Sequence, residues 1–198
     1  MRLKNNNSNL ASIDDVIYFA EPFYQDGIIA QAVDTVKGMG VAYFSAAGND
    51  DRKAYESPFR PSGVFFDIGF GPEEAHDFDP GTGVDTCQQI TIPIGRELTD
   101  ILQWDQPFFS VSGTPGSASD MDIVLTNAAC TTVLASSAAD NVGGDPFEVL
   151  FFTNAGPGTT FGIIILRFSG PDPSLMKTVN VGSGSITIDH FDTKTGTS

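Results

Sequence analysis

Basic residues are scarce in this chain: 10 Lys and Arg stand against 25 Asp and Glu, a formal net charge of -15 at pH 7. A surface this acidic repels phosphate backbones and anionic lipid, which excludes nucleic acid and membranes as partners. It favours solubility and attracts calcium. Long apolar runs are missing too. The most apolar stretches, Phe161–Leu166 and Phe147–Phe152, are strand-sized, far short of the roughly 20 residues of a membrane-spanning helix. Met1-Arg2-Leu3-Lys4 leads into Asn and Ser, not into an apolar segment, so no signal peptide is expected here. A start Met so near an ordered segment points to truncation or an internal start. Histidine occurs only at His76 and His190. Cysteine occurs only at Cys87 and Cys130, and with no His cluster beside them they make a poor metal site. They stand either as two buried thiols or as one disulfide, the latter expected if the protein is exported.

What is present suffices for a real core. The chain has 198 residues, 40% of them hydrophobic, with 16 Phe. Two textures divide it. Between Asp15 and Asn49 the pattern is strand, helix, strand: Val16–Phe19 is short and β-prone, Ile28–Val36 repeats its apolar residues at helical spacing, and Val41–Phe44 follows Gly38 and Gly40. A unit of this length reads as a βαβ crossover, whose parallel strands need cover on both faces. From about Ser57 the helical period vanishes. Strands are expected at Val64–Gly69, Gln88–Ile94, Asp100–Trp104, Phe108–Ser112, Met121–Leu125, Thr132–Ala135, Phe147–Thr153, Phe161–Phe168, Leu175–Val181 and Ser185–His190, with Gly, Pro and Asp turns between them. The expected fold is therefore mainly β, a β-sandwich or jelly roll preceded by a short βαβ segment.

The block from Gln31 through Gly40-Val41-Ala42-Tyr43-Phe44-Ser45-Ala46-Ala47-Gly48-Asn49 resembles the oxyanion-hole region of subtilisin-like serine peptidases. Phe78-Asp79-Pro80-Gly81, Trp104-Asp105-Gln106-Pro107-Phe108, Ser119-Asp120-Met121-Asp122 and Gly143-Gly144-Asp145-Pro146 resemble a prepeptidase C-terminal-type β-sandwich inserted after that asparagine. The resemblance implies a partial subtilisin-like α/β segment over 1–56, the sandwich over 57–186, and a return toward the peptidase domain over 187–198. It implies that Asn49 donates to the oxyanion, a contribution of about 3–4 kcal/mol to the barrier in such sites. It also implies a secreted parent acting on peptide or protein substrate.

The triad is incomplete on this reading. The family orders its residues Asp, His, Ser, with Asp and His before the asparagine, yet no histidine precedes Asn49. His76, among acidic neighbours, is expected to be a solvated loop residue, and so is His190. Gly196-Thr197-Ser198 looks like the opening of the nucleophile motif, but reads as a truncation point. The expectation is a piece that is not a peptidase on its own. The alternatives are a hydrolase, peptidase or esterase, with an unrecognised or intermolecularly completed site, and a calcium- or ligand-binding β-sandwich module.

Acidic side chains gather at expected loops: Asp77, Asp79 and Asp85, then Asp120 and Asp122, then Asp140, Asn141 and Asp145. Oxygen ligands converging from two loops hold calcium, and Asp120, Asp122, Asp140 and Asp145 are the candidate set, weighed against plain solvated carboxylates. Trp104, Phe108 and Phe109 are expected in the core rather than on a binding face. An uncovered βαβ unit invites pairing with another copy, so a homodimer is a candidate assembly.

Overall fold

The computed structural model describes residues 11–16, 18, 20–46, 53–182 and, as backbone, 187–188. The first part is a parallel strand–helix–strand unit: β1 (Ala11–Asp14), α1 (Ile28–Gly38) and β2 (Ala42–Ser45), with Ala11 opposite Ala42. Helix and second strand fall where the apolar spacing puts them. The first strand ends before Val16, because Asp14 fixes a turn there. Its carboxylate accepts from the Tyr43 hydroxyl (2.6 Å), the Tyr18 hydroxyl (2.9 Å) and the Val16 N–H (3.1 Å). Residues 17 and 19 of the expected strand lie outside the described residues. Helix α1 lacks a side-chain cap at Gly27; Glu21 substitutes, accepting from the Ile29 (3.1 Å) and Ala30 (2.9 Å) N–H groups that the first turn leaves free. No residue of α1 is buried, and Ile13 and Phe44 are exposed.

The rest is a two-sheet β structure. In chain order it comprises β3 (Ala54–Ser57), β4 (Pro61–Asp67), β5 (Pro72–His76), β6 (Gln88–Thr91), β7 (Glu97–Trp104), the one-turn helix α2 (Phe109–Ser112) and β8 (Asp120–Asn127). There follow β9 (Val133–Ser137), β10 (Phe147–Thr153), β11 (Thr160–Ser169), β12 (Met176–Asn180) and β13 (Thr187–Ile188). The smaller sheet runs β10-β7-β12-β3, all antiparallel. The larger one is built on β11. One edge of β11 pairs with β8, which carries β9; the other pairs with β6 near its start and with β5 near its end. Strand β13 lies beside β6, and β4 beside β5.

Alternation along the strands makes the core. Met121, Ile123 and Leu125 of β8 and Phe161, Ile163 and Ile165 of β11 meet Leu98, Leu102 and Trp104 of β7 and Leu150 of β10. Fully burying side chains of this size contributes about 1.5–3 kcal/mol each. Asp100 shares the inward face of β7 and is 5% exposed. The opposite face of β7 is also covered. Gln103 accepts from the Phe23 N–H (2.8 Å) and donates to the Glu21 carbonyl (3.1 Å), and Gln25 accepts from the Phe108 N–H (2.9 Å). Residues 21–25 thereby strap the helical unit to the smaller sheet.

Three expectations need correction. Phe108–Ser112 is not a strand: Phe108 is buried, α2 follows it, Asp145 accepts the free Ser110 N–H (2.8 Å), and Gly113 at φ 70° ends the turn. Strands β3 and β5 went unread, because Glu56, Glu73, Glu74 and His76 mask their alternation. His76 is not a solvated loop residue. It is 0% exposed on β5, its Nδ1 accepts from the Arg60 N–H (3.0 Å), and its Nε2 lies 2.8 Å from the Tyr55 hydroxyl. The accepting Nδ1 assigns the ring proton of the neutral imidazole to Nε2.

The two cysteines are joined in a disulfide, Cys87 to Cys130, across 43 residues of sequence. It lies on the outward face of β11 at Gly162, where an added Cβ would collide with both sulfurs.

Candidate functional site

The outward face of the larger sheet carries the chemistry. On β8, Asp120, Asp122, Val124 and Thr126 alternate with the core residues and share this face; on β11, Ile164 and Leu166 do the same, beside Ala75 of β5. A cavity of about 370 Å³ opens at one end. Its lining combines the acids Asp120, Asp122 and Asp140 with the apolar Phe70, Val142 and Phe168. Phe70 sits at the tip of the β4–β5 hairpin. Asp67 forms that tip by accepting from the Gly69 (2.8 Å) and Gly71 (3.2 Å) N–H groups, and both glycines have φ near 120°, which side-chain-bearing residues rarely adopt. The loop of Asp140 is tied to the strand by the Asn141 N–H, which donates to Asp120 (3.1 Å).

Next to Asp122, and outside the cavity lining, stands Glu73, 0% exposed, with neither carboxylate oxygen receiving an N–H or hydroxyl donor. The group it meets is the Asp122 carboxyl, itself 3% exposed. Two carboxylates gain from such a contact only around a shared proton. Burial is the first cause that drives both groups above the ordinary carboxylate range, and the charge of Asp120 adds to it. Burial also raises Asp120 and Glu148; Glu148 is held by the Ser137 hydroxyl and the Ala139 N–H (3.0 Å). Among the described residues no Lys or Arg pairs with any of these four groups. Arg167 binds Glu74 and Asp172, and Lys177 binds Glu56.

Of the candidate calcium set, Asp120, Asp122 and Asp140 thus come together at one cavity. Asp145 does not line it; its carboxylate caps α2. Among the described residues no three His, Cys, Asp or Glu side chains form a ready metal cage. Asp77, Asp79 and Asp85 bind backbone N–H groups of their own loop, at 2.7–3.0 Å. Trp104 and Phe108 are core, as expected, but Phe109, expected there too, is exposed, because the turn of α2 carries it away from the buried Phe108. Asn49, His190 and Ser198 lie outside the described residues. Glu73, Glu148, Phe70 and Phe168 were missed by sequence reasoning. The one signal for Glu73 was its two-residue spacing from Ala75.

A scan against protein-family models finds no match to this chain, and a search of the curated proteins finds none either.

Proposed function

We propose that this chain is a non-catalytic portion of a subtilisin-like serine peptidase, whose β-sandwich binds a cation in the Asp120–Asp122–Asp140 cavity. The observation that carries the binding role is the Glu73–Asp122 carboxyl pair, buried beside an open acidic cavity with no basic side chain among the described residues to neutralise it. Leaving carboxyl groups unpaired in a protein interior is costly, and such an arrangement beside a cleft is a physical ground for reading a binding site there. Calcium is one candidate cation, since oxygen ligands suit it. The accessory role is supported by His76, whose two ring nitrogens are both engaged in the interior and are not free to act as a base. The helical unit supports it too: a single parallel strand pair with exposed apolar side chains suits the edge of a larger α/β sheet, in which Asn49 would serve the oxyanion hole.

The test is direct. Purified protein is incubated with a serine-directed fluorophosphonate and, separately, titrated with calcium chloride while its melting temperature is followed. No labelled serine and a cation-dependent rise in melting temperature, lost in Asp122→Asn, are expected. Stoichiometric labelling of a serine would make the chain a hydrolase, and insensitivity to every cation tested would remove the binding role.

A further inference from the structure

We propose that the acidic cavity receives a lysine or arginine side chain from an extended polypeptide, lying along the outward face of β8 and β11. This rests on the cation-binding reading and names the cation.

The lining decides between a metal ion and an organic cation. A hard divalent ion seeks six to eight oxygen ligands. Here Phe70, Val142 and Phe168 share the lining with Asp120, Asp122 and Asp140, so much of the wall offers no oxygen ligand. An alkyl stem ending in a positive group uses both kinds of lining: its methylenes pack on the apolar side chains, and its head meets the carboxylates within reach of the ring faces. The head also brings positive charge and donors to the carboxylates of the lining. An ammonium carries three donors and a guanidinium five, and Asp122, which lines the cavity and meets the buried Glu73, is a carboxyl that can accept them.

The surface beyond the cavity points to a polypeptide rather than a free amine. A second cavity of about 300 Å³ lies over Val124, Ile164 and Leu166, beside Phe66 and Ile68. Both cavities draw on one row of β8, Asp120 and Asp122 in the first, Val124 and Thr126 in the second. Alternate residues of a strand stand about 6.7 Å apart, so this row spans roughly 20 Å, the reach of about six extended residues. An extended segment with a basic residue beside Asp122 and an apolar residue two places on, beside Val124, places one side chain in each cavity where the two adjoin. The chain's net charge of -15 favours a basic partner.

The experiment uses the whole chain, labelled for amide NMR, and the peptide acetyl-Lys-Ala-Leu-Ala-amide. Its norleucine analogue, which has the stem but no charge, and calcium chloride are run in parallel. The lysine peptide is expected to shift the amides of Asp120–Asn127 and of residues 140–142. Its affinity is expected to fall at least tenfold for the norleucine analogue and for Asp122→Asn, and at least threefold for Phe70→Ala. Asp140→Asn, an exposed rim position, serves as a second charge variant whose fold is not at issue. Equal binding of the norleucine peptide, or binding indifferent to both charge variants, would overturn the proposal. Calcium binding that depends on Asp122, with no response to the lysine peptide, would overturn it while leaving the cation-binding reading intact. No response to either would remove both.

Discussion

Glu73 and Asp122 sit on strands that never pair with each other, β5 and β8, yet their carboxyl groups meet over the intervening β11. The relationship is a consequence of register. Leu166 stands opposite Ala75 on one side and Asp122 on the other, so Glu73, two residues before Ala75, emerges on the same outward face as Asp122 but one pleat repeat further along the sheet. Burial raises both carboxyls, so the pair holds a proton more tightly than two separate surface carboxylates, and under the proposed binding role an entering cation would compete with that proton.

Asp100 poses the same problem inside the core, where burial pushes its carboxyl up to about 7 and one oxygen has no partner. A carboxyl whose folded pKa lies above its unfolded value of about 3.9 holds a proton that the unfolded chain releases. Its contribution is therefore intact below about pH 4 and is lost as pH rises toward 7, by about 1.4 kcal/mol per pH unit. Asp100→Asn mimics the protonated form. Its unfolding free energy should match the parent's near pH 4 and exceed it by up to about 4 kcal/mol at pH 8. Denaturant melts of both proteins at the two pH values measure this, and equal stability at pH 8 would contradict it.

The disulfide closes a long loop against the outward face. Chain entropy assigns about 4 kcal/mol to a bridge spanning 43 residues. Reduction, or the Cys87→Ser and Cys130→Ser double substitution, should lower stability by that order in a denaturant melt. Gly162→Ala should be destabilising with the bridge formed, because its methyl enters the space of both sulfurs, and less so once the bridge is reduced.

His76 is structural. It sits with Tyr55, Phe59 and Phe78 at ring-centroid distances of 4.8–5.7 Å and accepts the Arg60 N–H. Arg60 in turn donates to the Phe78 and Asp77 carbonyls. His76→Ala leaves a buried N–H without an acceptor and opens a cavity, a loss of about 2–4 kcal/mol. Thermal melts should show that loss, with fluorophosphonate labelling unaltered. A loss of labelling that followed the substitution in a correctly folded protein would return His76 to the role of base.

The β-sandwich was legible because strands such as β8, β10 and β11 announce themselves as apolar runs between Gly, Pro and Asp turns. The helix was legible from the spacing of Ile28, Ile29, Ala32, Val33 and Val36. Strand β5 was not, since Pro72-Glu73-Glu74-Ala75-His76 has the composition of a loop, and only the burial of Glu73 and His76 reveals its inward and outward faces. The site was half legible for a related reason. Asp120 and Asp122 stand out as acids in an apolar neighbourhood. Their partner Glu73 is about 50 residues away in sequence, and the walls Phe70 and Phe168 reach the cavity only through a hairpin tip and a bulge between Arg167 and Ser169. Sequence spacing groups neighbours along the chain, whereas sheet register groups neighbours across it.

The most direct test follows the carboxyl carbons of Glu73 and Asp122 by NMR as pH is raised, with and without a cation, calcium chloride and the lysine peptide in turn. Asp120, Asp140 and Glu148 on the neighbouring segments, and Asp67 near Glu73, are recorded in the same spectra to separate their titrations. The account predicts that the pair titrates in two steps, the upper one above the ordinary carboxylate range, and that the cation moves that upper step to lower pH. Two carboxyls that both ionise below about pH 5, indifferent to either cation, would contradict it.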